Sequence, residues 1–293
     1  MQDWTALGEL LREIELAREA MDFEEGEDCL YRGHSDMSYT LTPSLFRQPV
    51  KDGDYDQLES DLFFEFQARS QDVHQMSDWD VLFHMRHHGV PTRLLDWTEV
   101  LGVALHFAVL NWNPHNRQRP SVWLLNPWGM NETNWGPRDL ISPKYLGLVE
   151  EEFWDYSELL TTDEEWAWDR PVAIYPQHRN RRLAGQRGLF TIHGTMTQPL
   201  EKLSKRFAQQ VEIPADAVPA IHEMLAITGM DDYLLFPDSD GLARALSLKY
   251  SLGRPEERVR GRRSGETVEE QQLPTLTRGS RWRKKKAKQK RKR

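Results

Sequence analysis

The sequence lacks several features that would define a protein class at once. It contains a single cysteine, so an internal disulfide framework is excluded. No stretch approaches the roughly 18 uninterrupted apolar residues that a membrane-spanning helix requires, and there is no apolar N-terminal segment of the signal-peptide type. Walker, GxGxxG and GxSxG patterns are also absent, which argues against NTPases, dehydrogenases and serine hydrolases. These absences predict a cytoplasmic protein without a membrane partner.

Acidic residues are absent from the last sixteen positions, 278–293, which contain eleven Lys and Arg. Removing these eleven charges from the net charge of −8 leaves −19 on residues 1–277. An acidic body disfavours nucleic acid, whereas the basic segment can neutralise phosphates by itself. The residues expected to bind nucleic acid are Arg281, Trp282, Arg283, Lys284, Lys285 and Lys286. A membrane surface and the acidic body are the alternative partners of this segment.

The remaining sequence has the composition of a globular protein, with 39% hydrophobic residues and 11 tryptophans. Apolar periodicity predicts an N-terminal helix within residues 1–24 and one folded domain over 25–252. The acidic, tryptophan-rich stretch 130–170 is predicted to be an insertion in this domain. From 253 to 293 the apolar period is lost and charge and glycine increase, which predicts a disordered tail.

Two parts of the domain contain residues suited to binding chemistry. "YRGHS" places Arg32 beside Gly33, which would let a ligand approach the backbone closely. "VPTRLLDWT" contains Arg93, Asp96 and Thr98, and the last two share a face if the segment is extended. The sequence leaves open whether Thr98 caps the next helix or points into a cleft, and whether Arg93 and Asp96 bind a ligand or form a buried ion pair.

Three histidines, His84, His87 and His88, lie at helical spacing that can place metal ligands on one face. No second group of ligands follows at a suitable spacing, so we expect no metal. His87 is the best candidate for contact with a ligand or with Asp96, because it borders the turn before the Arg93 segment.

The segments "YRGHSDMSYTLTPSLFR" and "HHGVPTRLLDWTEVLGVALHFA" resemble the FRG domain family, which is named after its aromatic-Arg-Gly motif. The segments "RRLAGQRGLFTIHG" and "LLFPDSDGLARAL" follow in the same order as in the family, so the resemblance covers about residues 25–250. The family usually has glutamine where this chain has Arg86.

A weaker resemblance links the chain to ADP-ribosyltransferase-like domains. It implies an α+β fold with a split antiparallel sheet flanked by helices, NAD as substrate, and a catalytic series of Arg32, Thr98 and Gln186. A guanidinium matches a pyrophosphate, and an acidic third group would stabilise an oxocarbenium-like transition state. Because Gln186 is uncharged, Glu212 and Glu201 are alternative sources of that carboxylate.

Two functions follow from these resemblances. The first is an NAD-binding ADP-ribosyltransferase or NAD glycohydrolase-like effector, of a kind that acts in toxins or anti-phage defence. The second is a non-catalytic module that binds nucleotides or nucleic acid. The residues expected to bind the nucleotide are Arg32, Gly33, His87, Arg93, Asp96 and Thr98.

Overall fold

A computed structural model describes residues 4–250, apart from 72, 111, 114, 116, 150–151, 154, 162–167 and 177–184. The chain divides into two units, Met1–Leu246 and Ser247–Arg293, and the following description concerns the first unit and the end of its last helix. The predicted tail, 253–293, lies outside the described residues.

The described residues form ten α-helices and eight β-strands. The helices are α1 Thr5–Glu19, α2 Tyr55–Arg69, α3 Asp78–His87, α4 Leu101–Val109, α5 Pro127–Asn134, α6 Tyr156–Thr161, α7 Leu200–Leu203, α8 Val218–Ile227, α9 Asp232–Leu235 and α10 Ser239–Lys249. The strands are β1 Leu30–His34, β2 Leu94–Thr98, β3 Ser121–Leu125, β4 Leu148–Val149, β5 Glu152–Phe153, β6 Val172–Ile174, β7 Gly188–Ile192 and β8 Ala208–Glu212.

Six strands form one antiparallel sheet in the order β6-β7-β2-β1-β3-β8. β1 pairs with β3 over its whole length, from Leu30 opposite Leu125 to His34 opposite Ser121. On its other side, β1 meets β2 only where Tyr31 faces Thr98. Beyond this pair, β1 and β2 are not hydrogen-bonded to each other, and the middle of the sheet is open. On their outer sides, β1 is fully paired with β3 and β2 is fully paired with β7.

Side-chain alternation along the strands divides the core. Val122 and Leu124 of β3 pack with apolar residues of α1, α4 and α8, whereas Trp123 and Leu125 belong to the core that contains α5 and α7. A further core joins α2, α3 and α6 to β6 and β7. Each fully buried Leu or Val side chain contributes about 1.5–3 kcal/mol to folding, so these layers hold the strands of the open region in place.

The stretch 130–170, which was predicted to be an irregular insertion, includes the end of α5, the β4–β5 hairpin and α6. Asn131 of α5 donates to the main-chain oxygen of Ala173 and accepts from its N–H, at 2.8 and 2.7 Å. This pair of hydrogen bonds attaches α5 to β6. Whether the stretch is an insertion in the evolutionary sense stays a prediction.

The predicted α+β class with an antiparallel sheet is confirmed. Its specific likeness to ADP-ribosyltransferase domains stays a prediction. Among the helices that the structure describes, none is both long enough and apolar enough to cross a membrane.

Candidate functional site

A cavity of about 460 Å³ lies where β1 and β2 separate, and it has the size of a small-molecule site. Its walls come from β1 and the segment after it, from α3, β2, α4 and β7, and from Gln186 before β7. The predicted site residues that line it are Arg32, Gly33, His87, Asp96, Thr98 and Gln186. Residues 154 positions apart in the sequence are therefore brought to one cavity by strand pairing.

Arg32 occupies the opening between the two strands. Its Nη1 donates to the main-chain oxygen of Asp96 at 2.7 Å and to the Oδ2 atom of Asp96 at 3.3 Å. Its Nε donates to Nε2 of His34 at 3.1 Å. Nη2 has no hydrogen-bond partner among the residues described, and the side chain is 19% exposed. The guanidinium is thus fixed by two of its nitrogens while the third remains able to donate to a ligand.

Asp96 is held by two arginines. Besides Arg32, Arg86 from α3 donates to Oδ2 of Asp96 from Nε at 2.9 Å and also from Nη2. The third guanidinium nitrogen of Arg86, Nη1, donates to Oγ of Ser44 at 3.1 Å. Burial raises the pKa of Asp96, but the charges of Arg86 and Arg32 outweigh burial and hold this pKa well below its usual range. Asp96 is therefore ionised at neutral pH. We call Arg32, Asp96 and Arg86 the open cluster.

His34 fixes the other side of Arg32. Because its Nε2 accepts from Arg32, its Nδ1 carries the proton and donates to the main-chain oxygen of Tyr39 at 3.2 Å. Burial, together with the neighbouring positive charge of Arg32, lowers the pKa of His34 to about 3. His34 is therefore a neutral ring that orients Arg32.

Thr98 and Gln186 are linked through the main chain. Oγ1 of Thr98 donates to the main-chain oxygen of Gln186 at 2.6 Å and accepts from the N–H of Val100 at 3.0 Å. The Gln186 side chain donates from Nε2 to the main-chain oxygen of Leu235 at 2.8 Å. The N-cap of α4 is Val100, so Thr98 instead braces the turn before the helix while lining the cavity.

Aromatic rings form much of the remaining wall. Phe83 of α3 and Phe190 of β7 stack nearly parallel, with ring centroids 5.0 Å apart. Phe107 of α4 and Tyr39 contribute further rings. Flat apolar surfaces beside a fixed guanidinium suit a ligand that has both an aromatic ring and an anionic group.

Gly33 packs against the backbone of α4. A Cβ at this position would lie 1.9 Å from the main-chain oxygen of Ala104 and 2.7 Å from the main-chain nitrogen of Ala108. The space that a side chain at position 33 would occupy is thus filled by the backbone of α4, so the glycine permits close packing of helix on strand. Close approach of a ligand to Gly33, which also lines the cavity, stays a prediction.

Arg93 is placed differently from the prediction. Its side chain is 1% exposed and is not among the residues that line the cavity, and its charge partners are Glu59 and Asp56 rather than Asp96. Nε donates to Glu59 at 2.6 Å, Nη2 to Asp56 at 3.0 Å, and Nη1 to the main-chain oxygens of His193 and Gly194. Tyr156 donates to the other oxygen of Glu59 at 2.7 Å. We call Arg93, Glu59, Asp56 and Tyr156 the closed cluster.

Neither of the predicted substitute carboxylates reaches the cavity. Glu212 at the end of β8 forms an exposed bidentate ion pair with Arg119. Glu201 accepts from the N–H of Leu41 at 3.1 Å. Glu212 is therefore corrected from a catalytic candidate to a residue of the sheet edge.

The three histidines of α3 cluster at the end of the helix. The rings of His84 and His88 lie 4.5 Å apart between centroids, and those of His87 and His88 lie 5.0 Å apart. Only His87 lines the cavity, whereas His84 and His88 border a second groove beside Phe66. Within the described part of the chain, no group of three or more His, Cys, Asp or Glu residues is arranged to hold a metal ion.

The sequence analysis missed Arg86, Tyr39 and Phe83 as site residues. Arg86 was noted only as a departure from the family pattern. The signal that could have identified it is its position on α3 next to His87, which had been assigned to the site. The predicted nucleic-acid residues, Arg281 to Lys286, lie outside the described residues.

Comparison with protein families identifies an FRG domain over residues 27–117. The matched part contains β1, α2, α3, β2 and α4, and so includes all three residues of the open cluster. Searches of curated proteins and of solved structures found no match. The match covers less than half of the length of the chain.

Proposed function

We propose that the cavity binds a nucleotide, with NAD as the expected ligand. The observation that carries this proposal is the convergence of Arg32, Thr98 and Gln186, which belong to or directly precede the neighbouring strands β1, β2 and β7, in one cavity. This is the series that resembles the ADP-ribosyltransferase pattern, and its members lie far apart in the sequence.

The charge of the site supports an anionic ligand. The open cluster contains two guanidiniums and one carboxylate, so it carries a net positive charge. Burial lowers the pKa of both Arg32 and His34, and the positive charge of Arg47 is close enough to lower both further. The unpartnered Nη2 of Arg32 offers a donor for a phosphate oxygen, and charge-assisted bonds of this type are about twice as strong as neutral ones.

The walls support a ligand with flat rings. The stacked pair of Phe83 and Phe190, with Phe107 and Tyr39, gives apolar surface to the same cavity that Arg32 lines. A nucleotide combines phosphates with a ring that stacks on aromatic side chains. Inorganic phosphate alone would leave these walls unused.

Calorimetric titration with NAD tests the proposal. We expect the wild type to bind, and Arg32→Ala to bind roughly tenfold to a hundredfold more weakly, since a hydrogen bond to a charged group is worth about 1.5–3 kcal/mol. Arg119→Ala, which removes an exposed arginine from the sheet edge, is the matched control and should bind as the wild type does. No binding to the wild type, or equal binding to Arg32→Ala, would refute the proposal.

Cleavage of NAD is the second candidate function, and the ordered series of Arg32, Thr98 and Gln186 favours it. The site offers little stabilisation to a developing cation, because the carboxylate of Asp96 is neutralised by two guanidiniums and Gln186 is uncharged. We therefore expect slow or no turnover. Release of nicotinamide by the wild type, abolished in Arg32→Ala, would establish the enzymatic function.

A further inference from the structure

The two oxygens of Asp96 have different surroundings. Oδ2 accepts from Nη1 of Arg32 and from Nε and Nη2 of Arg86. Oδ1 accepts a hydrogen bond from no residue that the structure describes, although the side chain lines the cavity and is 47% exposed. The enclosed oxygen thus anchors the carboxylate, and the other is left as a fixed acceptor at the cavity.

The neighbouring charges select the kind of group that this oxygen can accept from. Two guanidiniums share the carboxylate, so a cationic ligand group at Oδ1 would be repelled by them. A neutral donor meets no such repulsion. In a nucleotide, the neutral donors are the ribose hydroxyls and the base amino and amide groups, and carboxylates in nucleotide sites commonly accept from ribose.

From this geometry we infer that Oδ1 of Asp96 accepts a hydrogen bond from a ribose hydroxyl of the bound nucleotide and that Asp96 thereby selects ribonucleotides over their deoxy analogues. The inference rests on the proposed function and adds the feature of the ligand that is recognised. Arg86 has a positioning role, because it holds Oδ2 and so orients Oδ1 without needing to contact the ligand.

Gln186 is the competing acceptor, since its Oε1 also has no partner among the described residues. It is uncharged, and its single hydrogen bond to Leu235 leaves its amide less constrained than a carboxylate anchored by three donors. A charged acceptor discriminates more strongly against a ligand that lacks the donor. Asp96 is therefore the residue to which we assign the selection.

The substitution Asp96→Asn tests whether Asp96, rather than Gln186, selects the ribose hydroxyl. Only the amide oxygen can accept from the two guanidiniums, so the amide nitrogen must take the place of Oδ1. The amide nitrogen donates and cannot accept, so the ribose hydroxyl loses its acceptor and is left with a neutral hydrogen bond of the reverse direction, which is worth less than a charged one. Asp61→Asn makes the same chemical change on the exposed face of α2, outside the cavity, and is the matched control.

The test is calorimetry with NAD and with NAD analogues that lack one ribose hydroxyl at a time. We expect one analogue to bind the wild type and Asp61→Asn about tenfold or more weakly than NAD does. This preference should fall at least about threefold in Asp96→Asn. Asp96→Glu, which keeps the charge but moves the oxygens by one methylene, should also lose the preference, and it serves if the asparagine variant does not fold.

Two results would overturn the inference. One is that all the analogues bind the wild type within about twofold of NAD, and the other is that the preference persists unchanged in both Asp96 variants. If NAD binds and Arg32→Ala weakens it while the analogues bind equally, only the role of Asp96 fails. If NAD does not bind the wild type at all, the proposed function fails and this inference fails with it.

Discussion

The closed and open clusters contain the same kinds of charged groups but differ in how completely these groups are hydrogen-bonded. Both contain arginine and carboxylate, and they meet on one short segment, with Arg93 just before β2 and Asp96 within it. In the closed cluster, every guanidinium nitrogen of Arg93 donates to a protein acceptor, and both Arg93 and Glu59 are 1% exposed. In the open cluster, Nη2 of Arg32 and Oδ1 of Asp96 have no partner among the described residues.

This difference distinguishes a structural ion pair from an ion pair that still has a donor and an acceptor available to a ligand. A buried pair must be fully hydrogen-bonded, because an unsatisfied buried charge is very costly. A pair beside a cavity can retain unsatisfied atoms at lower cost, since water reaches them until a ligand replaces it. Unsatisfied atoms, rather than the presence of arginine, therefore mark the binding site.

The largest effect on the free energy of unfolding is expected from substitutions in the closed cluster. Arg93→Met leaves Glu59 buried without its charge partner, and we expect a loss of about 3–5 kcal/mol in the free energy of unfolding. Glu59→Leu should cost a similar amount, because the buried Arg93 then keeps only the exposed Asp56 as a charge partner. The double variant should recover most of the loss, as judged by chemical denaturation. If the single variants lose less than about 1 kcal/mol, the closed cluster is not the structural element described here.

An intermediate effect should appear in the dependence of stability on pH. Each cluster contacts a buried histidine, and burial lowers the pKa of both His34 and His193 to about 3. Between pH 6.5 and 3 the unfolded chain binds protons that the folded chain does not, so stability falls as the pH is lowered. The slope is up to about 1.4 kcal/mol per pH unit for each histidine.

The measurement for this prediction is the free energy of unfolding at pH 7.5, 6 and 5. His193→Leu removes the fully buried ring and should give a shallower slope than the wild type. His115→Leu, at an exposed position, should keep the wild-type slope. Identical slopes in all three proteins would contradict the assignment of a low pKa to His193.

The smallest effect on stability is expected in the open cluster. Arg86→Gln removes one guanidinium from Asp96 but leaves Arg32, and the half-exposed carboxylate can be hydrated. We expect a cost of about 1–2 kcal/mol in the free energy of unfolding, well below that of Arg93→Met. Denaturation of both variants under the same conditions checks the order. An equal cost would remove the distinction between the two clusters.

Much of the fold followed from local patterns. Helix α1 lies within the range 1–24 in which apolar periodicity predicted a helix, and the segment "LLDWT" is strand β2, because the pattern of a short segment reflects the packing of its own element. Placing Arg32, Thr98 and Gln186 in one cavity came from family resemblance, since strand order cannot be obtained from periodicity.

The errors have a common physical cause. Arg93 and Asp96 are near in sequence and were considered as one pair, but Arg93 pairs with Glu59, 34 positions away, and Asp96 with Arg32 and Arg86, 64 and 10 positions away. Glu59 on α2 was not expected to be buried, because its burial depends on Arg93 and not on its own helix. A charged residue's role is decided by distant partners, and these are not visible in the local sequence.

The contact between Gly33 and α4 determines how this pocket can be redesigned. Since main chain touches main chain there, the spacing between the Arg32 strand and the Phe107 helix cannot be adjusted by exchanging side chains. Larger or smaller ligands must be accommodated elsewhere in the lining, for example at Phe83 and Tyr39, whose side chains can be shortened or enlarged. The Gly33–α4 part of the lining is therefore fixed by the main chain, whereas the side chains elsewhere in the lining can be exchanged to vary ligand preference.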